Sequence, residues 1–305
     1  MKISRGTLYG IGAYTLWGLL PIYWKALKTV PAPEILANRM VWTLVFVAAL
    51  LTFRRHWRWL RPSLHERRLI LTYLATATLL AVNWLTYIWA VNAGYIIETS
   101  LGYFINPLIN VLLGLLFLHE RLRGAQMVAL LLAAGGVLYL TAVYGSFPWI
   151  AITLALSFGF YGLLRKTGSL DSTEGLTFET AVYFIPALAY LLVLNANGTG
   201  SFAGGDPRIT LLLVGTGLVT GIPLLLFGAA AKRITLTNLG LLQYIAPTMQ
   251  FLLGLFVYDE PFNRSQLLGF VFIWLALIIY TLEGVRHSRY KNGAAKLKDV
   301  PAAVD

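Results

Sequence analysis

Four ionisable side chains in this sequence stand where water is scarce. Arg39 lies about a turn and a half into an apolar run that begins near Glu34, and a charge in hydrocarbon costs about 2.5–3.5 kcal/mol on insertion scales unless it is paired or hydrated. Glu34 does not share a helix face with Arg39, because five residues advance a helix by about 140° past a full turn; Asn38, four residues after Glu34, does share its face. The partner of Arg39 is therefore expected on another helix, and Glu98, near the outer end of a later run, is at matching depth. Glu179 stands 140 residues after Arg39, near the inner end of its own run, from which it is expected to snorkel to water. The chemistry open to this set is gating or proton coupling, with Glu34 or Glu98 as protonation sites. The plainer reading of Arg39 with Glu98 is a structural ion pair.

A second group is polar but uncharged, and gathers around two prolines. Asn83, Trp84 and Tyr87 precede Tyr103, Asn106 and Asn110 beside Pro107; Gln243, Tyr244 and Gln250 surround Pro247; Tyr161 lies between the two sets. A proline inside a helix leaves one carbonyl without its donor. Irregular backbone at membrane depth is tolerated where it is buried or lines a water-filled cavity. Pro107 and Pro247 are accordingly read as helix breaks, and Asn83, Trp84, Tyr87, Tyr103, Asn106, Tyr161, Gln243 and Tyr244 as the lining of a solute cavity. Taken singly, each of these side chains reads more simply as packing or interhelical glue. Enzyme chemistry finds no support, since there is no HExxH, no GxSxG and no paired carboxylates with a histidine at membrane depth. His56, His65, His119 and His287 fall in connections with no second ligand at metal spacing. No metal or cofactor is expected, and Glu120 and Glu260 read as caps of the helix turn that follows them.

The elements that must hold these residues follow from composition. Of 305 residues, 58% are hydrophobic and 12% charged, against about half and roughly a quarter in soluble domains. That balance makes the chain an integral membrane protein. Its net charge of +11 is spread over short segments between apolar runs, not over one base-reading surface, so no nucleic-acid partner is expected. Without cysteine, disulfides and thiolate metal sites are excluded. A span takes about 20 apolar residues, and ten runs qualify: 7–25, 34–53, 69–91, 96–118, 124–143, 148–164, 176–194, 209–231, 236–258 and 266–283. The sixth is short and interrupted by Ser157, Gly159 and Gly162. The first continues past Trp24 without a small-residue cleavage site and reads as a retained span.

These runs repeat. Residues 101–126 and 241–266 agree at nine of 26 positions without a gap, among them Ile105/Ile245, Pro107/Pro247, Gly114/Gly254, Glu120/Glu260 and Gln126/Gln266. Five runs per copy is an odd number, so the second copy enters the membrane upside down, the inverted layout of many secondary transporters. The expected fold is all-α, with ten transmembrane helices in two inverted five-helix repeats, 1–145 and 146–285, and a basic tail over 286–305. With the N-terminus inside, 19 of the 24 lysines and arginines lie on the inner side, so both termini are expected in the cytoplasm. Gly6/Gly10, Gly217/Gly221 and Gly135/Gly136 are expected where helices touch.

Five stretches carry a family resemblance: PAPEILANRMVW (31–42), NWLTYIWAVN (83–92), SLGYFINPLINVLLGLLFLHER (100–121), SFGFYGLLRK (157–166) and QYIAPTMQFLL (243–253). In order, and over essentially the whole chain, they resemble the RarD branch of the EamA-domain, drug/metabolite transporter (DMT) superfamily. The resemblance implies ten helices, two EamA repeats, cytoplasmic termini and a multi-pass permease of the bacterial inner membrane, with relatives labelled chloramphenicol-sensitivity proteins. Glu34, Arg39, Asn83, Trp84, Glu98, Tyr103, Asn106, Pro107, Tyr161, Glu179, Gln243 and Pro247 stand where members carry the same residues. The expected function is a secondary transporter of a small organic solute, an exporter of drug- or metabolite-like compounds working by alternating access. An amino-acid or metabolite exporter is the near alternative, and a lipid-translocating protein the one from another class. Expected partners are the solute and membrane lipids, with proton coupling and uncoupled transport both open, and no oligomeric state is assigned.

Overall fold

The structure, a computed structural model, describes residues 4–93, 95–202, 206–258 and 264–298. Hydrocarbon offers no water to backbone groups, so each must find its partner within its own segment. The described residues accordingly form twelve helices and no strand: α1 (Arg5–Ala26), α2 (Ala32–Phe53), α3 (Leu60–Ser63), α4 (Arg67–Asn92), α5 (Ile96–Leu118), α6 (Gly124–Tyr144), α7 (Trp149–Thr167), α8 (Ser172–Ala196), α9 (Pro207–Ala231), α10 (Leu236–Gln243), α11 (Ile245–Val257) and α12 (Arg264–Lys298). Counting α10 and α11 as one, eight segments among the described residues are long and apolar enough to cross a membrane. α1 and α7 are not among the eight. Tryptophan, tyrosine and glycine dilute their apolar content, and both carry basic residues in the last turn. Each packs against helices of the other half, α1 on α9 and α11, α7 on α4 and α5.

The second half runs antiparallel to the first, helix by helix. In the pair α2/α8, Glu34 meets Ser201 at one end and His56 meets Glu174 at the other. In α5/α10, Tyr244 reaches Phe104, while Thr237 lies beside Gly114. In α6/α12, Arg123 meets Glu283 and Gly136 packs on Phe272. One end of the bundle, the basic end, gathers the starts of α1, α4, α6, α8 and α10 and carries most of the basic residues among those described.

The two repeat-matched prolines differ in effect. Pro247 falls in the first turn of α11, after a break at Tyr244, where its missing N–H costs little. Pro107 stays inside an unbroken α5, contrary to its reading as a helix break. Gly240 of α10 packs so closely along it that an added Cβ would lie 2.7 Å from the Pro107 carbonyl oxygen, and this contact holds α5 against its neighbour. Glycine marks other contacts too: Gly6 faces Arg233 and Gly221 faces Phe46, whereas Gly135 meets nothing. α12 continues to Lys298, so most of the basic tail prolongs the last helix.

Candidate functional site

Between the halves, in the part of the bundle away from the basic end, lies a cavity of about 180 Å³. Asn83, Trp84 and Tyr87 of α4, Tyr103 and Asn106 of α5, and Gln243 of α10 line it, as does Arg39 of α2. Tyr87 and Tyr103 are 37% and 38% exposed and form its rim. The polar side chains hold one another in place. Asn83 Nδ2 donates to the Leu154 carbonyl at 2.9 Å and to Ser157 Oγ at 3.0 Å. Asn110 Nδ2 donates to Gln243 Oε1 at 2.8 Å and to Asn106 Oδ1 at 3.2 Å, tying α5 to α10. Gln250 Nε2 donates to the Trp17 carbonyl at 3.1 Å. That carbonyl is the one Pro21, four residues later, leaves without a backbone donor.

Arg39 does not pair with Glu98. Its Nε donates to Thr220 Oγ1 at 3.0 Å, and its guanidinium lies over the rings of Trp84 at 4.5 Å and Trp24 at 5.1 Å. Glu98 is 3% exposed, and its Oε1 accepts from the Ile150 N–H at 2.7 Å, in the first turn of α7. A helix start offers several N–H groups without intrahelical partners, and the carboxylate is spent there. Glu34 behaves alike: it is 1% exposed, and accepts from the Ser201 N–H at 2.6 Å and hydroxyl at 2.9 Å.

Tyr161 and Tyr244 lie outside the cavity. Leu154, Phe158, Tyr161 and Arg165 follow one another at helical spacing along one face of α7, and they descend from the cavity toward the basic end. Phe158 lines the cavity. Tyr161 is one turn deeper, fully buried and stacked on Phe227 at 5.8 Å, and Phe227 also touches Phe158 at 5.2 Å and Tyr14 at 6.3 Å. These four rings form a plug. Beneath it, Arg165 Nη1 faces Glu179 Oε1 at 3.5 Å with both side chains shut from solvent, and the Tyr161 hydroxyl donates to Glu179 Oε2 at 3.3 Å. Glu179 therefore does not snorkel: it is 2% exposed, and the buried Arg165 offers it a counter-charge. Tyr244 donates its hydroxyl to the carbonyl of Phe104 at 3.2 Å. Phe104 is its repeat counterpart, so this contact sits on the pseudo-two-fold axis between the halves.

The basic end is laced shut by contacts between helices. Glu120 caps α10, far along the chain, and not the turn that follows it: its carboxylate accepts from the Leu236 and Thr237 N–H groups at 2.6 and 2.8 Å, because the end of α5 abuts the start of α10. Its repeat partner Glu260 lies outside the described residues. Lys232 Nζ donates to the Gly168 carbonyl at 2.8 Å; burial, and then the charge of Arg165, holds its pKa below the ordinary lysine value. His56 is not simply solvated, since its Nε2 lies 3.0 Å from Glu174 Oε1. His56, Asp171 and Glu174 bring three ligand atoms within 4.8 Å. Both carboxylates are already engaged, though, each accepting from the other residue's N–H in a box that caps α8.

Sequence reasoning passed over the contribution of α1. Trp17, Pro21 and Trp24 line the cavity, and their spacing of four and three residues around a proline is the signal that marks one helix face. It passed over Arg165 as well, whose place beside Lys166 disguises it as an ordinary flanking charge. Thr220 carries no signal of its own.

The sequence profile of the EamA-like transporter family matches this chain twice, at residues 4–142 and 147–282. Protein RarD of Streptomyces exfoliatus is 49% identical over 285 residues, which cover 93% of this chain and 90% of that one. An uncharacterized transporter of Bacillus subtilis (strain 168), YojE, is 47% identical over 292 residues, covering 94% and 97%. A solved crystal structure matches with a TM-score of 0.71 at 21% identity, over 93% of this chain and 99% of that one, and speaks for the fold alone. With two family repeats, RarD relatives aligned nearly end to end and helices long enough to cross a bilayer, the chain belongs to the EamA-like transporter family as a RarD-type multi-pass membrane protein.

Proposed function

We propose that this chain carries a small organic solute outward across the bacterial inner membrane, rocking its two inverted halves around the central cavity. Cytoplasmic termini are part of this reading: ten spans, with α1 and α7 added to the eight apolar segments, and the distribution of lysine and arginine support them. The supporting observation is the layering along α7, with cavity at Phe158, plug at Tyr161 and ion pair at Arg165. A central site sealed toward one end is what alternating access requires, and in this orientation the sealed end is cytoplasmic. Among the coupling and gating candidates, Glu34 and Glu98 hold backbone N–H groups, Arg39 faces the cavity, and Glu179 alone sits in the seal. Protonating Glu179 would remove the attraction that holds Arg165. Proton coupling is therefore read at Glu179, with uncoupled transport as its alternative.

A cavity of about 180 Å³ is smaller than the roughly 300–1,000 Å³ of drug-sized sites, which supports a metabolite-sized solute over a drug-sized one. A lipid headgroup needs a polar path on the outer surface. The outward groove between α1 and α9 is lined by side chains such as Leu16, Leu19, Ile22, Leu218 and Ile222, which do not supply one. The test is uptake into proteoliposomes under a defined pH gradient, with labelled amino acids, chloramphenicol and a fluorescent lipid. Gradient-driven accumulation of one solute, reduced to equilibration by Glu179→Gln, is the expected result for a coupled transporter. Equilibration in the parent protein as well leaves a facilitator. Movement of the lipid alone would overturn the proposal.

A further inference from the structure

Among the described residues that line the cavity, Arg39 is the one charged side chain. A guanidinium carries five N–H donors in a flat fork, and among the described residues one of them finds an acceptor: Nε, on Thr220. The two tryptophans over which it lies fix its plane but accept no hydrogen bond from its outer edge. Carboxylates that could neutralise it are committed elsewhere, Glu34 to Ser201 and Glu98 to Ile150. An isolated charge at membrane depth is costly unless something pairs with it. What remains free is the edge of the fork, whose geometry matches a carboxylate bidentately.

The rest of the lining agrees. Asn110 takes up one oxygen each of Asn106 and Gln243, so in this network their amide N–H groups are left to donate. The walls are aromatic, from Trp17, Trp24, Trp84, Tyr87, Tyr103 and Phe158. A dry cavity of about 150 Å³ holds benzene, so the volume here suits one ring or a branched aliphatic chain of similar size. A single cation balances a single negative charge, and a doubly charged phosphate would lack its second partner.

We propose that the cavity takes a small organic monoanion, a carboxylate on one aromatic or branched aliphatic group, and that Arg39 is the residue that binds it. The assignment rests on the transporter reading for the passage of the solute, though not for its binding.

The test uses the full chain in lipid nanodiscs and three probes of one shape: benzoate, neutral benzamide and cationic benzylamine. Thermal melting and tryptophan fluorescence report binding, the latter because Trp24 and Trp84 flank the guanidinium. Benzoate is expected to raise the melting temperature and quench fluorescence at millimolar concentration, with benzamide and benzylamine at least about tenfold weaker, as expected for loss of a hydrogen bond to a charged group. Arg39→Gln should abolish that preference. Arg39→Lys keeps the charge but loses the fork, and should retain the preference with affinity lowered about tenfold; it decides the matter if Arg39→Gln does not fold. Equal binding of benzoate and benzamide, undiminished benzoate binding in a folded Arg39→Gln, or no binding of benzoate at all would overturn the assignment. Uptake of the same probes into proteoliposomes separates the two proposals. Benzoate bound through Arg39 but never moved would sink the transporter reading and leave the anchor standing. Benzamide moved while benzoate neither binds nor moves would do the reverse.

Discussion

Removing Glu179 should open the basic end. The carboxylate faces Arg165 at 3.5 Å, and neither Arg165 Nη1 nor Glu179 Oε1 has a hydrogen-bond partner, so the attraction between them is Coulombic. Arg165 keeps one bond, from Nη2 to the Ser172 carbonyl at 2.9 Å, and is otherwise enclosed. Breaking a buried pair by removing one partner costs about 3–5 kcal/mol. The absence of a direct hydrogen bond argues for the lower figure, and about 3 kcal/mol is roughly a hundredfold in a two-state population. The protein contains no cysteine, so a single cysteine at Leu176, fully buried beside the plug, makes a clean reporter. In a Leu176→Cys background, Glu179→Ala should raise labelling by a membrane-impermeant maleimide by one to two orders of magnitude (roughly tenfold to a hundredfold), from the basic side only. Arg165→Met with Glu179→Leu removes both charges and should return labelling to the parent rate, because two well-packed apolar side chains replace a buried pair without penalty. Equal labelling of parent and Glu179→Ala, at equal melting temperature, would refute the reading of this pair as the seal.

Two further substitutions test the packing that shapes the cavity. Gly240→Ala puts a Cβ 2.7 Å from the Pro107 carbonyl oxygen and 2.8 Å from Asn110 Cβ, and overpacking of this kind should cost about 1–3 kcal/mol, read as a lower melting temperature; Gly124→Ala, which meets nothing within 4 Å, is the neutral control. Gln250→Ala strands the Trp17 carbonyl at a cost of about 1–3 kcal/mol, and adding Pro21→Ala, which restores the backbone donor, should recover most of the lost melting temperature.

Eight of the ten expected spans, the repeat and its inversion are legible in the sequence because each rests on a quantity that runs along the chain: apolar length, the 140-residue offset, and the number of apolar runs in each copy. The partner of a buried charge is not such a quantity. The sequence gives the depth of Arg39, but which helix it faces depends on how closely α9 approaches. Gly217 and Gly221 let α9 lie against Trp42 and Phe46 of α2, and that approach brings Thr220 to the guanidinium while Glu98 caps α7. Arg165 and Lys166 show the same limit one residue apart. A helix turns about 100° per residue, so Lys166 reaches the carbonyls of Ala231 and Ile234 at the basic end while Arg165 points into the protein. Six of the eight expected lining residues meet at the cavity because they crowd around the matched prolines. Tyr161 and Tyr244 fall outside it because an aromatic side chain reads the same in sequence whether it faces a void or fills one.

The halves are matched in sequence and unequal in shape, and the inequality is concentrated where the cavity lies. Two identical halves related by a two-fold axis would be equally open or equally closed at both ends, so a site sealed at one end requires that matched elements differ. The differences fall on counterpart residues. Pro107 stays within a continuous helix while Pro247 follows a break. Arg39 faces the cavity between two tryptophans while Glu179 is locked against Arg165 beneath the plug. By contrast, Phe104 and Tyr244, which meet on the axis itself, can keep their contact while the two sides exchange roles. The positions that distinguish the two ends are therefore those at which the halves would have to trade conformations for the cavity to open toward the basic end, and the fixed contact at Phe104 and Tyr244 is where they would turn.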